Sequence, residues 1–560
     1  MKKVFTKILI VFAFGFIGLS AKGTTPSWVW AKTMGGGFAE NANCVTTDAS
    51  NNIYVVGKFG SSTVMFGTTT LTNASMFHSD LFIAKYDPSG NVIWAKRAGG
   101  ALDEEAWGVA CDATGNVYVT GTYTSTSMVI GSTTLTNTTN ESSIFLAKYD
   151  PNGNVIWAKG CAGPVSNPCT PYSLTTDNSG NVFITGFFSG GTISFDTVTA
   201  SAGPNWSTFI VKFNSSGAGL WTKTSGGTAG AVSYSVTTDI GGNSYITGLY
   251  TGTNVVFDTT TLTNAGNGNA FITKYSPAGK VLWAKTEGGT GSDWGTGVCT
   301  DAAGNVYAVG YFSSPSFVFG TTTLTNVGSN DIYVSKFSSA GSVIWAQSIG
   351  GAESDEAYSV STDAAGNAYV AGYFQSVSIT FGTTTLTNDS AGATFNTNDI
   401  FVAKFNPSGI IQWAKSAGGK LDEQLNSVRA DASGNVYVGG YYSSVTCTFG
   451  SNVITNAASP QLDMFFAKLN SGTGIEEFTQ RNNRLVVYPN PASTILNIHQ
   501  TTLSQNQQLI ITDIMGNEVY KEILTDIDNT ISIANYSNGI YFYEVRGNDD
   551  VSRGKFVVQK

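Results

Sequence analysis

Apolar and polar residues alternate in runs of seven or eight along most of this 560-residue chain, as in NVYVTGTY at 116–123 and NAYVAGYF at 367–374. Period-two alternation rich in aromatic and β-branched residues predicts half-buried β-strands. The runs recur in a fixed order. A tryptophan, usually within Trp-Ala-Lys, stands at 30, 94, 157, 221, 283, 345 and 413, spaced by 64, 63, 64, 62, 62 and 68 residues. After each comes a Gly-Gly-like turn, then a short strand leading to Asp48, Asp112, Asp177, Asp239, Asp301, Asp363 or Asp431. Most of these aspartates open turns such as DATGN, which predict hairpin loops: Asp bonds its own backbone, and the Gly or Asn tolerates positive φ. The next strand carries Tyr or Phe at 54, 118, 183, 245, 307, 369 and 437. Nine residues after every repeat Asp it also carries a glycine, at 57, 121, 186, 248, 310, 372 and 440. A glycine inside a strand predicts a bulge or a closely approaching backbone. A third strand, such as DIFVAKFN at 399–406, and a DPSGN-type turn lead to the fourth, which ends in WAK.

Between the second and third strands lies FGTTTLTN, spelled identically at 66–73, 319–326 and 381–388. Its glycine turn and β-branched threonines predict a short strand with Leu71 inward and the threonines toward water. Each unit is therefore a four-stranded antiparallel meander with one insertion. Stacking seven of them predicts an all-β chain whose main domain is a seven-bladed β-propeller, in preference to a solenoid. The innermost strand fits this choice. It pairs an apolar residue (Val45, Val109, Leu174, Val236, Val298, Val360, Val428) with a preceding small one (Cys44, Gly108, Ser173, Ser235, Gly297, Ser359, Ser427), as close packing between sheets requires. The last unit lacks its own WAK strand, whereas a spare WVWAK at 28–32 precedes the first. The N-terminal strand is expected to complete the seventh blade and close the ring without an unpaired edge. Lysines such as Lys96 and Lys415 are expected on blade edges, where charge discourages aggregation.

GNVYVTG at 115–121 and YDPSGNVIWAK at 86–96 resemble the seven-bladed propeller repeats of exported bacterial proteins of the SBBP type. That resemblance is architectural and brings no catalytic residue with it. Ahead of the repeats, Lys2, Lys3 and Lys7 precede an apolar run from Ile8 to Leu19, so residues 1–21 read as a secretory signal peptide. The run falls short of the roughly 20 apolar residues that span a bilayer. The propeller is expected over 22–470, followed by a polar linker at 471–484. Short strands and turn signals over 485–560 predict a small β-sandwich. This last segment is similar to the type A C-terminal sorting domain of the type IX secretion system. The likeness rests on YPNP at 488–491 (Pro489, Asn490, Pro491), LIITDIMGNEVY at 509–520 with Gly516, NGIYFYEV at 538–545 with Gly539, and the ending GKFVVQK with Lys555. The resemblance implies passage through the periplasm, type IX machinery as a partner, and delivery to the cell surface or the medium of a Bacteroidota-type bacterium.

Charge narrows the partners. The formal net charge is −9, the pI is near 4.9, and Lys and Arg are scattered, which argues against nucleic acid. With only His78 and His499, imidazole chemistry has little to work with. Four Gly-Gly turns carry acids: Asp103, Glu104 and Glu105; Asp293; Glu353, Asp355 and Glu356; Asp422 and Glu423. They lack the dense alternation of a calcium loop, so a solvated acidic rim is expected and no cofactor, Ca²⁺ being the one ion they could hold. Trp107 and Trp294 stand beside these acids, and a flat aromatic next to hydrogen-bonding groups is what stacking on a sugar ring requires. Both, with Asp103, Glu104, Asp293, Asp355 and Glu356, are the candidate ligand-binding residues. The competing reading is packing between blades, since Trp107 shares its repeat position with Tyr172, Tyr234 and Tyr358. Cys161 and Cys169 are expected to form a local disulfide, and the other four cysteines to act as small buried residues.

The composite expectation is a non-enzymatic secreted or surface protein that recognises a glycan, polymer or protein through a loop-rich face. The alternatives are a carbohydrate-active hydrolase or lyase using paired carboxylates, and a purely structural component. In the third unit FGTTTLTN has drifted to FDTVTASAG at 195–203. That unit is the place to look for something other than scaffold.

Overall fold

A computed structural model describes residues 26–138, 141–161, 168–203, 205–391, 397–471, 485–500, 507–514, 516–546 and 551–560. The signal segment, the linker at 472–484 and the loop at 162–167 lie outside them. All regular structure among the described residues is β-strand, and no helix is long and apolar enough to cross a membrane. The chain divides into two compact units, one spanning Thr25–Gly472 and the other containing Thr473–Lys560.

In the larger unit the alternating runs become seven four-stranded antiparallel sheets, each with strands a to d in chain order. Sheet one runs Glu40–Thr47, Ile53–Phe59, Asp80–Tyr86 and Val92–Ala98. Sheet seven takes strands a to c from Glu423–Ala430, Val436–Tyr442 and Asp463–Leu469, and its fourth strand is Trp28–Met34 from the start of the unit. There Ala31 pairs with Ala467 and Met34 with Met464. Sheets two to six begin with a strands Glu104–Cys111, Cys169–Thr176, Ala231–Thr238, Asp293–Thr300 and Asp355–Thr362 and end with d strands Val155–Cys161, Gly219–Thr224, Val281–Glu287, Val343–Ile349 and Ile411–Ala417. The a strands lie side by side in chain order, and that of sheet seven lies beside that of sheet one. FGTTTLTN forms a separate two-stranded hairpin, with Leu71 paired to Val64 and buried, as its pattern predicted.

In each sheet the pairing of strands a and b is bulged at one place. Between Ala42 and Cys44, Ala106 and Gly108, and at the five equivalent positions, strand a carries one residue more than strand b. The seven predicted glycines of strand b lie opposite. A Cβ on Gly57 would stand 1.8 Å from the Asn41 carbonyl oxygen, and one on Gly310 would stand 1.8 Å from that of Trp294. The glycine is thus required by a bulge and by a close backbone approach together.

A second repeated contact joins the sheets at the end carrying the Asp turns. The lysine of strand c, placed in sequence only as part of a strand, is buried in most sheets: Lys85, Lys148, Lys212, Lys274, Lys336 and Lys404 lie 3.2–3.7 Å from the turn Asp of their own sheet. The ammonium of each, and that of Lys468, sits over the strand b aromatic, 4.6–5.3 Å from the ring centre. It also reaches onward. Lys85 donates to the Pro151 carbonyl of sheet two, Lys274 to Ser339 of sheet five, and Lys468 of sheet seven to Pro88 of sheet one. Burial lowers the pKa of Lys468, and Asp431 and Asp87 oppose that shift.

The smaller unit has a three-stranded and a four-stranded sheet over one core that includes Leu496, Ile511, Ile531 and Phe556. The side-chain oxygen of Asn490 accepts from the Val557 amide at 2.9 Å, which ties YPNP to the last strand. Gly516, at φ +82°, closes the Asp513 turn.

Two outcomes follow from these contacts. Deleting residues 26–34 strips the fourth strand from sheet seven and is expected to lower the thermal midpoint by many degrees; an unchanged midpoint contradicts the pairing. Lys274→Ala leaves Asp239 buried without its cation and should cost about 3 kcal/mol in urea unfolding. Lys274→Ala with Asp239→Asn should cost less than the two single changes summed.

Candidate functional site

At the opposite end of the sheets, where the Gly-Gly turns lie, the bulge decides which side chains face outward. The extra residue is Trp107, Tyr172, Tyr234 and Tyr358 in sheets two, three, four and six. Beside it on the same strand stand Trp294 in sheet five and Glu105 and Glu356 in sheets two and six, with Phe187, Tyr311 and Tyr373 opposite on strand b. These rings meet in a continuous arc. Trp107 lies 5.5 Å from Tyr172, Tyr172 lies 5.0 Å from Tyr234, and Tyr234 stacks on Trp294 at 5.5 Å. Trp294 stacks on Tyr311 at 5.6 Å, Tyr311 lies 6.3 Å from Tyr358, and Tyr358 lies 5.7 Å from Tyr373. Every ring in the arc is half-buried, packed against its neighbours with part of its surface meeting solvent.

Each end of the arc is held by an acid. Glu105 accepts from Lys58 at 3.0 Å and from Asn43 at 2.9 Å. Glu356 accepts from the Tyr358 hydroxyl at 2.8 Å, from Asn330 at 2.9 Å and from Ser354 at 3.0 Å. Burial first, then the neighbouring Glu356, raise the Tyr358 phenol well above its ordinary range, so it stays a hydrogen-bond donor.

The structure separates the candidate residues into two groups. Trp107 and Trp294 join the arc, so the packing reading and the surface reading both apply to them. Glu104, Asp293 and Asp355 are fully buried, and Glu356 is nearly so, which corrects the expectation of a solvated acidic rim. The cause is a latch. Glu104 accepts from the amide of Gly100, Asp293 from that of Gly289, and Asp355 from that of Gly351, at 2.7–2.8 Å. The other oxygen of each accepts from the amide of a serine just past strand b: Ser125, Ser314 or Ser376. Glu40 holds Gly36 and Ser61 in the same way, while Glu423 accepts from Gly419 and keeps its other oxygen buried without a hydrogen-bond partner. These carboxylates satisfy turn amides and are not free to meet a ligand. Asp103 is exposed and bonded to His78 and Ser79. Among the described residues no group of three or more His, Cys, Asp or Glu is placed to hold a metal ion.

All the latch acids but Asp293, whose neighbouring strand c begins with Asn269, face acids of the neighbouring strand c. Burial, with the nearby Asp463, lifts Glu40 to about 7. Burial and Asp80 lift Glu104 to about 7, and burial and Asp399 lift Glu423 to about 8. Asp399 itself is raised to about 7 and Asp331 to about 6, burial again being the main cause. One oxygen of each of Asp80, Asp331, Asp399 and Asp463 is buried without a hydrogen-bond partner, which further disfavours the charged form.

Cys161 and Cys169 are both buried, unbonded thiols, and the Cys169 thiol donates to the Ser142 carbonyl at 3.0 Å. The expected disulfide is therefore not formed, because each thiol is absorbed in the core of sheet three. Cys299 and Cys447 are buried as expected, while Cys44 and Cys111 are only half-buried.

Fold and arc together define an all-β repeat protein that presents an aromatic surface at one end. Its C-terminal unit states where it goes. Residues 486–559 match the secretion system C-terminal sorting domain, so the protein is exported by the type IX route to the cell surface or medium. Over the repeats the chain is 26% identical across 536 residues to an uncharacterized WD repeat-containing protein of Acanthamoeba polyphaga mimivirus, covering 82% of this chain and 35% of that protein. The chain thus spans about a third of that relative's length. Among solved structures it is similar to PorZ, a surface component of the type-IX secretion system of Porphyromonas gingivalis, at 10% identity and TM-score 0.17, over 95% of this chain and 100% of that one. It is likewise similar to the extracellular domain of BT4673 from B. thetaiotaomicron, at 11% identity and TM-score 0.17, over 96% and 99%. Likenesses this loose carry no functional inference.

The acid pairs give a pH test. A carboxyl whose folded pKa is raised binds its proton more tightly in the folded state, so its stability contribution is complete below the unfolded pKa and lost as pH rises through the folded one. The thermal midpoint should therefore fall between about pH 5 and about pH 8. Glu423→Gln should flatten the fall, and a midpoint that rises over this window contradicts the pairing.

Proposed function

We propose that the protein is a non-enzymatic glycan-binding protein displayed on or released from the cell, and that its seven sheets are the blades of a β-propeller closed by the N-terminal strand. The neighbouring a strands, the fourth strand of sheet seven and the Lys468 contact to sheet one support the closed ring. The observation that carries the function is the aromatic arc from Trp107 to Tyr373. Its half-exposed rings offer apolar surface to the C–H faces of sugars, and Glu105 and the tyrosine hydroxyls offer hydrogen-bond partners to sugar hydroxyls. The alternative of a hydrolase or lyase loses most of its candidate acids to the latches, because a carboxylate engaged by turn amides is not poised for proton transfer.

A glycan array probed with the full-length exported protein tests this reading. Binding is expected in the parent and should weaken roughly tenfold in Trp294→Ala and in Tyr358→Ala, with the near-ultraviolet circular dichroism retained. A parent that binds no glycan overturns the proposal, and product release from a bound polysaccharide would favour the enzyme instead.

A further inference from the structure

Five of the seven sheets carry both the acid and the serine, and four of them close the latch: Glu40 with Ser61, Glu104 with Ser125, Asp293 with Ser314 and Asp355 with Ser376, whereas Glu423 of sheet seven, near Ser444, keeps only the Gly419 bond. Sheets three and four have lost both halves at once. Cys169 and Ala231 open their a strands, and Gly190 and Gly252 stand at the serine positions. Both glycines have positive φ, 60° and 81°, a backbone that a serine would strain. The facing strand c acid is missing too, replaced by Ser143 and Ser207. The turn at Gly226 and Gly227 pairs with Val256 and Val255 of the sheet four hairpin; the first bridge has counterparts in latched sheets, such as Gly99 with Val129 and Gly288 with Val318, and the second extends it.

Where the latch is missing a cleft opens. It has a volume of about 430 Å³ and is lined by Ser189, Asn205, Trp206, Thr228 and Thr251, with glycines between them. Trp206 is foreign to the repeat. The equivalent residue, just before the strand c position of Asp80, is Ser79, Ser142, Gly268, Asn330, Asn398 or Leu462 in the other sheets. Its indole is 54% exposed and touches Phe187 at 6.2 Å, a ring that continues to Tyr172 in the arc. Scaffold packing does not call for a large apolar ring left half in water. The side-chain amide of Asn205 donates across the cleft to the Thr228 carbonyl at 2.9 Å. No lining residue is charged.

We infer that this cleft is a subsite for a neutral hexose or pentose ring of a glycan, stacked on Trp206 and hydrogen-bonded by Asn205, Ser189, Thr228 and Thr251. The inference rests on the glycan reading above and gives it a place and a ligand class. An aromatic face with amide and hydroxyl groups matches a sugar ring, which is apolar on one side and hydroxylated at its edge. The uncharged lining offers nothing to a uronic acid or a sulfated sugar. Through Phe187 the cleft continues the arc, so one extended chain can occupy both.

Calorimetric titration of the full-length protein with cellohexaose, maltohexaose and xylohexaose tests it. At least one should bind the parent, with an affinity indifferent to ionic strength. Trp206→Ala should weaken that binding roughly tenfold or more, while Trp206→Phe retains most of it. Neither variant should move the thermal midpoint, which separates lost stacking from lost fold. If Trp294→Ala weakens binding and Trp206→Ala does not, the cleft is refuted and the arc stands. If Trp206→Ala weakens it and Trp294→Ala does not, the cleft stands and the arc is not the site. Failure of the parent to bind any of the three overturns the cleft.

Discussion

Everything in the larger unit depends on a buried lysine that belongs to one sheet and bonds to the next. A four-stranded sheet has two faces to cover and cannot do so alone, so the seven sheets hold together only as far as each is tied to its neighbours. The strand c lysine makes the tie directional. Its charge is neutralised within its own sheet by the turn Asp and the face of the strand b aromatic, and its remaining hydrogen goes to a carbonyl of the following sheet. A buried ammonium needs all of these partners, because any one missing leaves desolvation uncompensated. That requirement is why turn Asp, strand b aromatic and strand c lysine recur together, with Phe183 standing in for tyrosine in sheet three.

The two ends of the sheets are therefore built differently. The lysine end is uniform and leaves little room for variation. At the other end the bulge adds one residue to every a strand, and that residue's identity is free to change: Asn43, Trp107, Tyr172, Tyr234, Thr296, Tyr358 and Asn426. Asn and Thr fill sheets one, five and seven, whereas aromatics crowd sheets two to four and six. An arc confined to some of the repeated sheets is what a binding surface needs, since a ligand with its own shape cannot match seven identical faces.

Strands and their order were legible in the sequence because period, turn chemistry and the mid-strand glycines all agreed. The acids were misread for a physical reason. An acid after a Gly-Gly turn looks solvated, and only the fold shows that the turn's amides close around it, so the spacing of four residues between Gly100 and Glu104 was the unread signal. Cys161 and Cys169 were misread because spacing shows nearness and not whether each thiol is already packed. Trp206 went unnoticed as a site because its meaning lies in a comparison of strand starts that only the pairing register fixes. Tyr172, Tyr234 and Tyr358 were recognised as equivalent to Trp107, but equivalence was taken for packing alone. The bulge makes it both, since each ring packs on its neighbours and still leaves part of its surface in solvent.

Repetition and departure thus divide the labour. Where a position is the same in every sheet, as with the bulge glycine, a contact between strands explains it. Where several positions change together, a single local requirement has been released. The latch shows the distinction clearly, because an acid without its serine, or a serine without its acid, would leave a buried group unsatisfied, and sheets three and four lose the two together. Once both are gone the turn is free to move outward, and the opening it leaves can be furnished for another purpose. An exposed tryptophan at its rim is a feature that stability alone would not retain, so the drift of the third unit reflects the replacement of one constraint by another.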